Sequence, residues 1–366
     1  MGCQYGNMRG SVRHRYCLYL PYKLRKFLFY ILLSRNESQM KHVSIIIPHG
    51  HTSLVNIEGT HQIFSEVNNL RVERGNTPLF KIQLVGLSKE ANQPSGLFSV
   101  KPDILVRDVK QTDLIIIPAL HGDPKKAAEL NQEFLPWIVD HYHKGAEIVS
   151  FCIGSFFLGA TGLLNGKQCT THWRFVNEFR NMFPEAELVD DKIMTEANGI
   201  YTSGGAYSYL NLIVYLIEKY AGRDIAILIS KAFMIDIDRV SQSPFIIFQG
   251  QKEHDDEPVK KAQEFIEKNF QEKITIDQLA SMNALSRRNL ERRFKRATCN
   301  TVTEYIQRVK IEAAKKNFES SRKNINEVMY DVGYMDTKAF RTTFKKITGL
   351  SPVQYRNKYN RELAVA

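Results

Sequence analysis

Cysteine is sparse and shows no pairing pattern. The five cysteines, Cys3, Cys17, Cys152, Cys169 and Cys299, are scattered, odd in number and without a C-x-x-C pair. Neither a disulfide framework nor a cysteine-based zinc site is indicated, and a reducing cytoplasm fits. No cofactor and no metal are expected. Long hydrophobic runs are also missing. The apolar run at 27–33 has seven residues, too short to cross a bilayer and at the lower limit for a signal sequence. No small-residue cleavage site follows it. Gly6 stands where a myristoylation signal at Gly2 would prefer Ser or Thr. The first strand pattern begins directly after Met40. Residues 1–40 are therefore expected to be an unstructured or spuriously translated extension, with Met40 as the natural start. Arg13, Arg15, Lys23, Arg25 and Lys26 precede the apolar run, so a membrane-associating tail is the alternative; the favoured reading has no membrane partner.

Acidic residues are scarce at both ends. Residues 258–366 carry 23 Lys and Arg against 12 Asp and Glu, and residues 1–40 carry 7 against 1. The body, 41–257, is mildly acidic, with 20 against 26. A basic C-terminal third behind an acidic body suggests a polyanionic partner. A solvated lysine-rich face would give the same count, so charge alone does not decide.

Between 42 and about 230, short β-branched runs alternate with amphipathic stretches. Strands are expected at 43–48, 80–86, 114–118, 147–151 and 200–202, and helices at 60–74, 131–144, 153–161, 173–183 and 207–221. This alternation predicts a mostly parallel sheet covered by helices on both faces. Ile45-Ile46-Ile47 and Leu114-Ile115-Ile116-Ile117 are continuously apolar, as strands buried on both sides should be. The stretch 249–257 is polar, contains Gly250 and ends before Pro258, which suits a linker. Beyond Pro258 only helical periodicity remains. The expected organisation is an α/β domain at 41–230, an arm and linker at 231–257, and an all-α domain at 258–360.

That last domain contains a diverged repeat. Leu290, Phe294, Lys295, Thr298 and Tyr305 recur as Phe340, Phe344, Lys345, Thr348 and Tyr355, each 50 positions on. Ile276 and Leu279 recur as Ile325 and Val328 at a spacing of 49. Each unit reads as a short helix, a tight turn and a second helix, starting near Ser286 in the first and near Asp336 in the second. Leu290 and Phe294 are four apart and share a buried face. Arg287, Arg288, Glu291, Arg292 and Lys295 lie off it, as do Lys338, Arg341, Thr342 and Lys345 in the second unit. A helix with one buried stripe and an exposed Arg/Lys face can enter a major groove: Arg pairs with guanine edges and Lys neutralises phosphate. An ordinary helical bundle with basic outer faces is the competing reading. Two such helices in register, each behind a short helix and turn, disfavour it.

On Val332-Gly333-Tyr334, Phe340, Phe344-Lys345-Lys346, Thr348-Gly349, Ser351-Pro352 and Tyr355-Arg356, residues 258–360 resemble the AraC/XylS-type DNA-binding domain. Arg308 and Ala313-Ala314 lie in the segment matching that family's joining helix. The resemblance implies two recognition helices in successive major grooves of double-stranded DNA, with RNA polymerase as a further candidate partner. Thr342 departs from it, because the usual pattern has Arg two residues after the first Phe; here Arg341 stands beside it.

The segment 147–158 reads as strand, sharp turn and helix with Cys152 at the turn, where a helix dipole favours thiolate. Together with Gly154, Gly159, Gly162-Leu163-Leu164, Gly166, Thr170-Thr171-His172-Trp173, Phe183-Pro184, Thr202-Ser203-Gly204-Gly205 and the stretch 55–64, it resembles the DJ-1/PfpI-like domain of the class I glutamine amidotransferase superfamily. That implies a flavodoxin-like sheet. Joined to an AraC-type domain, it resembles the GlxA-like regulators. Enzymatic members place His after the cysteine, where this chain has Ile153. Asn56 and Asn211 stand where the family shows Asp, with Glu58 as the nearest substitute carboxylate and His172 as the nearest base. Without an activating base, nucleophilic catalysis is not expected. Cys152, Glu58, Asn56, His172 and Gly154 are taken as the candidate pocket for a small effector. The leading reading is a cytoplasmic, homodimeric, effector-responsive transcription regulator. The alternative is a cysteine enzyme of glyoxalase or amidase type with an appended DNA-binding module.

Overall fold

The computed structural model describes residues 40–92 and 98–360. Of the N-terminal extension only Met40 lies within them. From Lys41 to Ala232 the described residues are α/β. In order, the main elements are β1 (Lys41–Ile47), α1 (Leu54–Glu73), β2 (Phe80–Gly86), β3 (Ile104–Leu105), β4 (Leu114–Ile117), α2 (Pro124–Leu130), α3 (Phe134–His143), β5 (Glu147–Phe151) and α4 (Gly154–Gly159). There follow α5 (Val176–Met182), β6 (Met194–Ala197), β7 (Ile200–Ser203), α6 (Ser208–Ala221) and α7 (Arg223–Ala232). The strands form one seven-stranded sheet in the order β6-β7-β5-β4-β1-β2-β3. All neighbours are parallel except the β6–β7 edge pair.

The apolar runs explain the layering. Alternate residues of a strand point to opposite faces. Ile45, Ile47, Ile116, Val149 and Phe151 pack with α1 and α6 on one face. Ile46, Ile115, Ile117 and Ile148 pack with Phe134, Ile138, Phe156 and Phe157 on the other. Both faces being covered is why these strands are apolar throughout.

Several elements differ from the sequence expectation. Helix α1 starts at Leu54, six residues earlier than predicted, because Ile57 joins the buried stripe of Thr60, Ile63, Phe64 and Val67. Helix α2, capped by the Asp123 carboxylate on the N–H groups of Lys125 and Lys126, was not anticipated. Nor were β6 and α7. Residues 173–183 split into a 3-10 turn, Trp173–Phe175, followed by α5.

From 233 to 256 the chain carries little regular structure beyond a 3-10 turn at Ser243–Phe245. The rest is helical: α8 (Glu257–Asn269), α9 (Ile276–Met282), α10 (Arg287–Thr298), α11 (Val302–Ser320), α12 (Ile325–Asp331), α13 (Thr337–Thr348) and α14 (Pro352–Tyr359). Each start has a side-chain cap, which satisfies orphan N–H groups. Thr275, Ser286, Thr301, Asn324, Asp336 and Ser351 serve α9 to α14. Two apolar clusters form here. One gathers Leu279, Leu290, Phe294 and Tyr305; the other gathers Val328, Phe340, Phe344, Phe318 and Tyr355. Helix α11 contributes to both and joins the units.

Candidate functional site

The repeat read from the sequence is also a repeat of interactions. Leu290 and Phe294 in α10, and Phe340 and Phe344 in α13, are fully buried. Truncating such a phenylalanine to alanine costs about 3–5 kcal/mol. Thr298 and Thr348 each donate Oγ1 to the carbonyl four residues back at 2.8 Å. Each also accepts from the N–H two residues on at 3.2 Å, Asn300 in one case and Leu350 in the other. Both helices end in a left-handed residue, Cys299 at φ 56° and Gly349 at φ 73°.

Opposite each buried stripe stands a basic face. Arg287, Arg288, Arg292 and Lys295 on α10 are exposed, with Glu291 half-buried; Lys338, Arg341, Thr342 and Lys345 on α13 are exposed. The first set is partly engaged. Arg287 lies 3.4 Å from both Asp277 and Glu291. Arg292 donates to Asn289 Oδ1 at 3.3 Å. Lys295 caps its own helix through Cys299 O at 2.7 Å. Arg288, Lys338, Arg341 and Lys345 make no ion pair among the described residues. Surface pairs of this kind contribute little to stability.

The turn before α13 explains the Val332-Gly333-Tyr334 motif. Gly333 has φ +72°, and a Cβ there would lie 2.0 Å from Gln271 O. The Lys310 ammonium donates to Gly333 O at 3.0 Å. Only glycine satisfies both the left-handed backbone and the close approach.

At the second candidate site, Cys152 sits between β5 and α4 with φ 55°, a strained value for a side-chain-bearing residue. Its N–H donates to Ser203 O at 3.0 Å. Its carbonyl accepts from Thr171 Oγ1 at 3.4 Å, and Ser155 Oγ donates to Thr171 Oγ1 at 2.8 Å. A Cβ on Gly154 would lie 2.6 Å from Pro118 O, so glycine lets the turn close on the end of β4. Burial pushes the Cys152 thiol up to about 11, against a weaker opposing hydrogen bond from the Ile153 N–H. The dipole argument for a thiolate is therefore corrected: desolvation outweighs it. Among the described residues no side chain is bonded to this sulfur.

The companions of Cys152 are dispersed in role. Asn56 is buried and accepts from Ala119 N–H at 3.1 Å, holding the loop after β4. Glu58 is exposed. His172 accepts from Arg174 N–H through Nδ1 at 3.1 Å, leaving Nε2 to carry the proton of the neutral ring. Burial, Arg174 and His121 lower its pKa. His121, its pKa likewise lowered by burial and His51, packs against the His51 ring in a tilted arrangement, 5.1 Å between centroids. Both histidines follow the C-terminal ends of parallel strands, where such sheets place ligands; that position was the signal the sequence reading passed over. Asn211 lies elsewhere, donating to Asp236 O at 2.5 Å. None of the three described cavities is lined by Cys152, Asn56, Glu58, His172 or Gly154.

The stretch after α7 links both regions. Gln242 is buried, with Nε2 donating to Asp190 O at 2.9 Å, Thr171 O at 3.1 Å and Lys192 O at 3.2 Å. Its Oε1 accepts from Trp173 N–H at 3.2 Å. Immediately beyond, Pro244 O accepts from Tyr359 at 3.2 Å and Ile246 O from Lys315 at 2.5 Å. Phe248 N–H donates to Glu312 at 3.1 Å. Seven residues, 242–248, thus reach from the loop beside Cys152 to helices α11 and α14. Among the described residues no group of three or more His, Cys, Asp or Glu side chains is placed to hold a metal ion. No helix there is long and apolar enough to cross a membrane.

Comparison with known proteins accords with this division. The helix-turn-helix domain profile matches residues 279–358, and the DJ-1/PfpI family profile matches residues 65–219. The HTH-type transcriptional regulator GbdR of Pseudomonas aeruginosa is 24% identical over 285 residues, covering 75% of this chain and 74% of that protein. The bifunctional transcriptional activator/DNA repair enzyme AdaA of Bacillus subtilis is 38% identical over 107 residues, covering 29% and 51%. The isonitrile hydratase of Pseudomonas putida is 29% identical over 132 residues, covering 36% and 55%.

Proposed function

Since this chain is a transcription regulator that joins an AraC-type helix-turn-helix domain to a DJ-1/PfpI domain, we propose that it reads DNA through α10 and α13 under the control of a small effector. The observation that carries the reading is the matched pair of helices. Both have the same buried stripe, the same threonine-bonded end and an exposed basic face. Arg288, Arg292 and Arg341 are assigned to base edges, and Lys295, Lys338 and Lys345 to phosphates. Arg287, Glu291 and Thr342 border them. The α/β domain, with its boundary near 230, is assigned effector sensing and homodimerisation. The arm through Gln242 then alters the geometry of the second unit. The cytoplasm is the compartment this role requires, and RNA polymerase is a partner if the protein activates.

Mobility-shift titration of the full chain tests this. Affinity for duplex DNA should fall steeply as salt rises, because phosphate neutralisation releases counterions. Absence of binding at low salt sinks the reading. Sedimentation tests the dimer.

The strained Cys152 and the likeness to an isonitrile hydratase favour one second reading, a cysteine enzyme. The protonated thiol counts against it. Turnover of an isonitrile or a 2-oxoaldehyde that disappears in Cys152→Ala would establish it.

A further inference from the structure

A cavity of about 520 Å³ lies between β6, α6 and α7, and Ile237, Arg239, Val240 and Ser241 of the arm form one side of it. Its size falls in the usual range of small-ligand sites, roughly 300–1,000 Å³. Ile193, Val214, Ala226 and Ile227 give it apolar walls. The polar groups around it carry a surplus of positive charge. Arg223 is committed to Glu218 at 2.5 Å. Lys192 and Arg239 also line it, and neither has an ion-pair partner among the described residues. Asp191 is the remaining lining carboxylate. Arg239 lies over the Phe245 ring, 5.2 Å from its centroid, a contact that leaves its charge unneutralised. An apolar chamber with two cations that no carboxylate pairs suits an anion with an apolar body.

The arm is not a loose cover. Asn211 holds Asp236 O, Ile193 N–H donates to Val240 O at 3.3 Å, and Ser241 Oγ donates to Asp191 O at 2.8 Å. One residue further on is Gln242. A Cβ on Gly204 would lie 2.8 Å from its Oε1, so the fit is close. Ser243 and Pro244 then lie against Gly349 at the end of α13. Whatever displaces Arg239 or Val240 therefore pulls on a segment already bonded to the second helix-turn-helix unit.

We propose that this cavity, and not the Cys152 turn, binds a monocarboxylate with an apolar body. Lys192 and Arg239 take the carboxylate, and Val214 and Ile227 contact the body. That such a ligand alters DNA binding rests on the effector reading above; the binding itself does not.

The test uses the full-length chain with hexanoate, octanoate, benzoate and phenylacetate, each beside its neutral amide. Binding is followed by calorimetry and by melting temperature. At least one acid should bind with Kd below about 1 mM and its amide at least about tenfold more weakly. Val214→Trp, which fills the cavity, and Arg239→Gln, on the arm, should each remove binding. Cys152→Ala should leave it unchanged. No binding by any of the acids, or binding that survives both cavity variants or is lost in Cys152→Ala, overturns the proposal. An acid that binds in the cavity without altering DNA affinity supports the site and removes the effector coupling. A different metabolite that alters DNA affinity while all four acids fail to bind leaves the coupling and removes the site.

Discussion

Arg293 grips Asp256 with two hydrogen bonds of 2.8 Å, one from Nε and one from Nη2. Asp256 also caps α8 by accepting from the Val259 N–H. The pair ties α10 to the start of the helical region. It also sets two adjacent arginines apart, since Arg292 is exposed and, among the described residues, bonded to Asn289 and in no ion pair. The Arg293 guanidinium, and after it the Val259 N–H, hold the Asp256 carboxyl below its ordinary value. A depressed carboxyl stabilises the fold above its unfolded value and loses that contribution as pH falls through the folded one. Asp256→Asn should therefore melt below the wild type at pH 7, and the difference should shrink in acid. A difference that is constant down to pH 2 would contradict this assignment.

Arg292→Ala should weaken binding to a preferred DNA fragment by about 1–3 kcal/mol while sparing most nonspecific binding. Lys345→Ala should weaken all sequences alike and flatten the salt slope by about one. Equal loss on preferred and random DNA in Arg292→Ala would make Arg292 a backbone clamp and misplace α10 in the groove.

Cys299 occupies the left-handed position that Gly349 occupies in the second unit. Cys299→Gly should stabilise the protein, by roughly 0.5–1 kcal/mol, because strain relief exceeds the added chain entropy. Urea unfolding checks the sign.

Gly333→Ala should destabilise by about 1–3 kcal/mol or more, since its Cβ would meet the backbone oxygen of Gln271 at 2.0 Å. Unfolding of this variant beside Gly349→Ala, whose Cβ meets nothing closer than 3.7 Å, separates the clash from the shared backbone strain.

The repeat was legible because it depends on local spacing. Phe294 and Phe344 announce the buried stripe, and Ser286 and Asp336 announce the caps. The parallel sheet was legible from Ile45–Ile47 and Leu114–Ile117. Helix α7 was passed over because Ile225, Ala226 and Ile229 make a short stripe directly after Gly222. Strand β6 is four residues of mixed polarity, paired only at the sheet edge. The arm cavity left no trace, since its walls come from four separated segments. The role of Gln242 was equally hidden: its partners at 171–173 and 190–192 are at least 50 residues away. The strand–turn–helix spacing placed Cys152 where a helix dipole favours thiolate, but it carries no information on the burial that raises the thiol.

The most direct measurement is hydroxyl-radical footprinting of the full-length protein on genomic fragments that it selects. Two recognition helices in one chain should protect two windows on the same face of the duplex, about one helical turn (10–10.5 bp) apart. Arg292→Ala should weaken one window and Arg341→Ala the other. Selection that enriches no fragment, or a single protected window unaffected by either variant, would contradict the assignment of α10 and α13 as paired readers of DNA.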